Sequence, residues 1–217
     1  MGEGVICKLP VIGFAGPALS GKDTAANYFA ELTGFTRVAL ADTLKDDVIE
    51  AGLATHEECY VTKPPHVRRL LQWYGTDVCR KLAGRSYWLD RWRERIETVV
   101  GADGKPPHGY LIPDIRFPNE AMWVAGAFRL GYLIQIDASE RLGASGPLHS
   151  SESHFSEISD AMVARKAHCY DIVNNNGTLG ELRSGELPRA FAKWANFLDV
   201  MQRDHVGSDI VGGSKWS

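Results

Sequence analysis

The sequence predicts a three-layer α/β fold, a parallel sheet of about five strands with helices on both faces. Three observations lead there. Apolar runs of strand length alternate with segments of helical periodicity along most of the chain. Runs such as Tyr132-Leu133-Ile134-Gln135-Ile136 are too apolar for a sheet with one wet face. A glycine-bounded turn, Gly16 to Gly21, joins the first apolar run to a helix. Such sheets place ligands beyond the carboxyl ends of their strands, which would gather the glycine turn with Asp42, Asp114 and Asp137.

In chain order, a first strand is expected at about 9–15 and a helix at about 21–32. A second strand near 36–41 leads to a helix at 44–51, with Asp42 or Thr43 as its N-cap. Pro64-Pro65 opens a longer helix over 67–82, bent or interrupted at Gly75, and Ser86 precedes a helix over 87–100. Residues 102–109 form a Gly/Pro loop, and 110–114 a short buried strand ending in a carboxylate. A helix over 119–130, a strand over 132–137, a polar stretch over 139–156 and a helix near 157–167 follow. The last strand is expected at 170–173 and the last helix at 187–202.

With 217 residues, 44% of them hydrophobic, the chain can bury one good core. Residues 1–206 read as a single domain with a helical insert at about 43–100 and a polar lid-like stretch at about 139–157, followed by a mobile tail over 207–217. A net charge of −3 gives no basic field for a nucleic-acid backbone, so no nucleic-acid partner is expected. No apolar stretch reaches the roughly 18 residues of a membrane span, and no secretory layout opens the chain; the expectation is a soluble, cytoplasmic protein with no membrane partner. Cys7, Cys59, Cys79 and Cys169 are scattered without a Cys-x-x-Cys pair, which argues for core thiols over a zinc site or disulfides.

The stretch Gly16-Pro17-Ala18-Leu19-Ser20-Gly21-Lys22-Asp23-Thr24 carries the most chemistry. Its glycines let backbone N–H groups turn inward around phosphate oxygens, and the helix that follows adds unpaired donors and a positive dipole end. Lys22 supplies a point charge for β- and γ-phosphates. Asp23 stands where a Ser or Thr usually binds magnesium, with the hydroxyl one residue later at Thr24, so metal binding must lean on residues elsewhere. Asp114, at the end of a hydrophobic strand, can hold magnesium through water; the alternative is a helix N-cap or turn aspartate. Arg116 suits neutralisation of a transferring phosphoryl group, or else pairs at the surface with Glu120.

On the helix over 67–82, Leu71, Tyr74, Val78 and Leu82 form a core stripe, while Arg69, Gln72, Trp73, Thr76 and Arg80 share the opposite face, next to Arg68. Arginines for a phosphate, Gln72 and Thr76 for base edges, and Trp73 or Trp88 for stacking would suit a nucleoside monophosphate; a solvated face is the alternative. Arg141 and the polar stretch after it suit a closing lid or a surface loop. His149 and His154 lack a third metal ligand at a supporting spacing. The run Asn174-Asn175-Asn176-Gly177-Thr178 could cradle an adenine or be a plain strand-to-helix turn.

The ordered set of the glycine loop, Ala41-Asp42-Thr43-Leu44-Lys45, Leu71-Gln72-Trp73-Tyr74-Gly75-Thr76-Asp77, Pro113-Asp114-Ile115-Arg116-Phe117-Pro118-Asn119-Glu120 and Asn174-Asn175-Asn176-Gly177-Thr178 resembles the bacteriophage-type deoxynucleoside monophosphate kinases, over about residues 9–182. The resemblance implies a P-loop NTPase fold with an acceptor-binding helical insert and a lid. It implies transfer of the ATP γ-phosphoryl group to a (deoxy)nucleoside monophosphate, with Mg2+. Gly16, Ala18, Ser20, Gly21, Lys22, Asp23 and Thr24 would then bind the donor phosphates, and Asn176, Gly177 and Thr178 its base. Lys45, Arg68, Arg69, Gln72, Trp73, Thr76, Asp77, Arg80 and Trp88 would face the acceptor. Lys22, Arg116 and Arg141 would act on the transferring group, with Asp114 positioning the metal through water. Arg116 also looks like the acceptor-phosphate arginine of adenylate kinases, at shorter spacing, which leaves its role between acceptor binding and transition-state stabilisation.

Rival readings are a dephospho-coenzyme A kinase or other small-metabolite kinase, and a nucleotide-dependent switch or DNA-handling ATPase. The latter would be expected to show an Asn-Lys-x-Asp signature or a basic tract, and the sequence has neither. Base preference and ribose against deoxyribose are not legible, and oligomeric state leans only weakly to a homodimer.

Overall fold

The computed structural model describes residues 9–101, 104–143, 154–164 and 168–211. Five strands, β1 (Val11–Ala15), β2 (Thr36–Arg37), β3 (Tyr110–Ile115), β4 (Gly131–Asp137) and β5 (Tyr170–Asn174), form one sheet in the order β2-β3-β1-β4-β5. All pairings are parallel, with Val11 in register with Tyr110 on one side and Gly131 on the other. Around it lie α1 (Lys22–Thr33), α2 (Leu40–Glu50), α3 (Pro65–Gln72), α4 (Tyr87–Ile96), α5 (Pro118–Ala127), α6 (Ser139–Leu142), α7 (Phe155–Ala164), α8 (Leu179–Glu181) and α9 (Leu187–Val211). Three π-helical segments join them: Glu58–Thr62, Trp73–Arg80 and Leu182–Glu186.

Alternation along the central strand builds both outer layers. Val11 and Ala15 face a cluster with Leu89, Trp92, Ala121 and Met162, whereas Ile12 and Phe14 face Phe29, Leu187, Ala190 and Trp194. A strand buried on both sides admits a polar residue only where it is hydrogen-bonded, as Gln135 of β4 is to Phe155 O and the Tyr170 hydroxyl, which is why these runs read as almost continuously apolar. The insert between β2 and β3 has a small core of its own around Val48, Cys59 and Val67.

The described elements agree with the expected order, and their boundaries differ for identifiable reasons. α2 begins at Leu40 and shortens β2 to two residues, because the Asp114 carboxylate accepts the Leu40 and Ala41 N–H groups, both at 2.8 Å. Asp42 sits inside the first turn and accepts the Ala39 N–H, while the Thr43 hydroxyl donates to Leu40 O. The helix expected over 67–82 opens two residues earlier and continues from Trp73 to Arg80 as π-helix, with Gly75 buried inside it. The wider i→i+5 turn redistributes its faces: Gly75 and Cys79 are buried, and Leu82, expected in the core, is 82% exposed.

Helix α9 runs to Val211, past the expected end near 202. Cys59 and Cys79 are buried free thiols and Cys169 is partly buried, while Cys7 lies outside the described residues. Among the described residues no helix is long and apolar enough to cross a membrane.

Candidate active site

The glycine loop leaves the carboxyl end of β1 and returns at the start of α1. Gly16 and Gly21 hold φ of 150° and 100°, conformations costly for a residue with a Cβ, and both are closely packed. A Cβ on Gly16 would stand 2.9 Å from Ile136 O, and one on Gly21 2.5 Å from Asn175 Nδ2. Leu19, at the exposed tip, adopts φ 63° without being glycine. Helix α1 opens with no side-chain cap, so its first-turn N–H groups and dipole face the loop. Lys22 curls back and donates from Nζ to Gly16 O at 2.7 Å and Pro17 O at 2.5 Å. Thr24 is partly buried in the same turn. Ser20 is fully buried, and its hydroxyl has no hydrogen-bond partner among the described residues.

Asp23 turns away from the loop. Its exposed carboxylate pairs with Arg37 at 2.8 Å, and Arg37 also donates to Asn27. Arg37 was not a sequence candidate, since nothing local marks a basic residue ending a two-residue strand. Asp114 is also structural: it caps α2 from across the sheet edge. Burial pushes its carboxyl above the usual range, against the lowering effect of the two N–H bonds and Arg116.

Glu120 is the buried centre of the next turn. It accepts the Arg116 and Phe117 N–H groups on one oxygen and Arg80 on the other, at 2.7 Å. Arg80 also donates to Asn119 Oδ1 at 2.8 Å, and its guanidinium lies 3.7 Å from the centre of the Phe117 ring. Burial raises the Glu120 carboxyl and lowers Arg80, while each favours the charged form of the other. Glu120 meets Arg116 through its backbone N–H, in place of the surface pair that was the alternative reading, and the exposed Arg116 side chain lines the cavity.

A cavity of about 750 Å³ runs from the glycine loop to the insert. Ala18, Lys22 and Asp23 line one end; Lys45, Arg68, Gln72, Thr76, Arg80 and Trp88 line the other; Asp114, Arg116 and Glu120 lie between. Arg68, Gln72, Thr76 and Arg80 are four apart, a spacing the π-helical turns bring nearly into line. Lys45 is braced by Asp42 at 2.9 Å and lies over the Tyr60 ring. Trp88 is buried and donates its indole N–H to Gly75 O, so it contributes a wall with no free polar edge. Three candidates point elsewhere: Arg69 and Trp73 are exposed outside the cavity, and Asp77 pairs with Lys81. Tyr60 and Lys63 line the cavity and were missed, because they lie on a π-helical turn and its cap, not on a periodic helix.

At the loop's other flank, Arg141 donates from Nε to Asn175 O and from Nη2 to Leu19 O. Asn176 accepts the Glu140 and Arg141 N–H groups, and Thr178 caps α8 with Glu181. Gly177 stands against the Glu181 side chain. The turn 174–178 is thereby built into the fold. The remainder of the expected lid, residues 144–153, lies outside the described residues, as does His149; His154 pairs with Glu157 at 2.9 Å.

Sheet order, glycine loop and helix-opening lysine together define the class: a P-loop NTPase fold with the site of a phosphotransferase. No protein-family model matches the chain. It is 31% identical over 194 residues, 80% of its own length and 92% of the relative's, to the "Putative deoxynucleotide monophosphate kinase" of Acanthamoeba polyphaga mimivirus. The chain belongs to the deoxynucleotide monophosphate kinase family. Among solved structures it is similar to TT1252 from Thermus thermophilus, at 18% identity and TM-score 0.44 over 86% of this chain and 97% of that one. It is also similar to shikimate kinase from Acinetobacter baumannii in complex with shikimate, at 12% identity and TM-score 0.38 over 95% and 96%.

Proposed function

We propose that the protein transfers the γ-phosphoryl group of ATP to the phosphate of a deoxynucleoside monophosphate, giving ADP and a deoxynucleoside diphosphate. The observation that carries this reading is the single cavity linking Lys22 to the Lys45, Arg68, Gln72 and Thr76 wall of the insert. A donor at the Lys22 end and an acceptor at the other would share one surface, as direct transfer requires.

In this reading the loop N–H groups and the α1 N-terminus hold the donor phosphates. Lys22 releases Gly16 O and Pro17 O and extends to the β- and γ-phosphates. Lys45 and Arg68 attract the acceptor phosphate, while Gln72 and Thr76 meet base edges against the Trp88 wall. An acceptor phosphate oxygen then attacks the γ-phosphorus, the bond to the β–γ bridging oxygen breaks, and ADP leaves with that oxygen. The attacking group is already anionic, so alignment and charge neutralisation by Lys22, Arg116 and Arg141 carry the chemistry.

For magnesium, no cluster of three or more His, Cys, Asp or Glu stands together among the described residues. Asp114, whose oxygens accept the Leu40 and Ala41 N–H groups, would hold a hydrated ion through water, and the donor phosphates would supply its other ligands. When bound, the ion would neutralise charge on the β- and γ-oxygens.

The test is ADP release measured against a panel of deoxyribo- and ribonucleoside monophosphates and small-metabolite acceptors. Release that requires a deoxynucleoside monophosphate is expected. Release independent of any acceptor, or greatest with a non-nucleotide acceptor, contradicts the reading.

A further inference from the structure

We propose that Asn175 is a positioning residue for the phosphate loop: by holding Ser20 O from outside, it turns the Gly21 N–H toward the donor phosphates. This rests on the reading that the loop binds ATP. Asn175 lies just past β5, is 7% exposed, and donates from Nδ2 to Ser20 O at 2.7 Å in a buried bond. A trans peptide plane points its C=O and N–H in opposite directions. Fixing Ser20 O toward β5 therefore fixes the Gly21 N–H away from β5.

The brace is itself anchored. The Asn175 N–H donates to Asp137 O at the end of β4 at 2.6 Å, and Asn175 O accepts Arg141 Nε at 3.0 Å. Its side chain can thus act as a fixed post. The same contact explains the glycine at 21, where a Cβ would collide with Asn175 Nδ2. It also accounts for an asparagine within a run that the sequence left between an adenine cradle and a plain turn. Arg141 holds the preceding carbonyl, Leu19 O, so two successive loop carbonyls are drawn outward by side chains from one flank.

The experiment titrates ATP and inorganic tripolyphosphate into the wild type, Asn175→Ala, Asn175→Leu and the control Ser184→Ala, an exposed hydroxyl on the Leu182–Glu186 segment, by calorimetry, with steady-state KM for both substrates. Asn175→Leu keeps the size of the side chain and the main-chain bonds of the residue to Asp137 and Arg141 while losing the donor and adding no charge, so it reports even where the alanine variant folds poorly. Both Asn175 variants should bind ATP and tripolyphosphate about 10-fold more weakly, the effect of one misaimed phosphate hydrogen bond. The acceptor KM and the Ser184→Ala control should stay within about twofold. Loss for ATP with unchanged tripolyphosphate affinity would overturn the proposal in favour of an adenine contact, and unchanged affinity for both would overturn it while leaving the donor site standing. A wild type that binds neither ligand would remove the donor reading and the proposal together.

Discussion

The Arg80–Glu120 pair gives the sharpest energetic prediction. Their side chains are 9% and 5% exposed, and the pair ties the π-helical segment of the insert to the turn that carries Arg116. Replacing Arg80 by Met removes the guanidinium, its bond to Asn119 and its stacking on Phe117, and strands a carboxylate in a buried site. Breaking a buried pair from one side costs about 3–5 kcal/mol. In a chain of 217 residues, each kcal/mol lowers Tm by about 2–4 °C, so Arg80→Met should melt about 6–20 °C lower at pH 7. The deficit should shrink as pH falls and Glu120 takes up a proton. The double variant Arg80→Met with Glu120→Gln, which has no stranded charge, should regain most of the loss. Calorimetric melting of the three proteins checks this. A single-variant loss under about 1 kcal/mol, the scale of an exposed pair, would refute the reasoning.

Lys22→Ala should lower turnover by about 100-fold or more with Tm almost unchanged, checked by ADP release and thermal melting. Gln72→Ala should raise the acceptor KM by about 10-fold and leave the ATP KM alone, checked by steady-state kinetics with each substrate varied. Asp114 has a folded pKa raised by burial, so between the ordinary carboxylate value and the raised one the folded state holds more protons than the unfolded state. Stability from this group therefore declines as pH rises through that window. The Tm of the wild type minus that of Asp114→Asn should fall with it, and a pH-independent difference would contradict the assignment.

The sheet was legible because its inner strands β1, β3 and β4 are buried on both faces, as where Ile12 and Phe14 feed one layer and Val11 and Ala15 the other. The glycine turn between β1 and α1 was legible because its spacing and its preceding strand are local features. What the sequence hid came from distance. Asp114 caps a helix more than seventy residues earlier, which moved the start of α2, and Glu120 and Asn175 take their roles from Arg80 and Ser20 in remote segments. Helical periodicity also misassigned Leu82 and Trp73, because the chain passes into π-helix at Trp73 and the face pattern of an α-helix no longer holds.

Direct transfer joins two ligands held in one cavity. It is tested by following a label on the γ-phosphate of ATP in the presence of a deoxynucleoside monophosphate. The label is expected in the β-phosphate of the deoxynucleoside diphosphate, with the inorganic phosphate pool near background. Label recovered chiefly as inorganic phosphate, with no labelled diphosphate formed, would contradict the account.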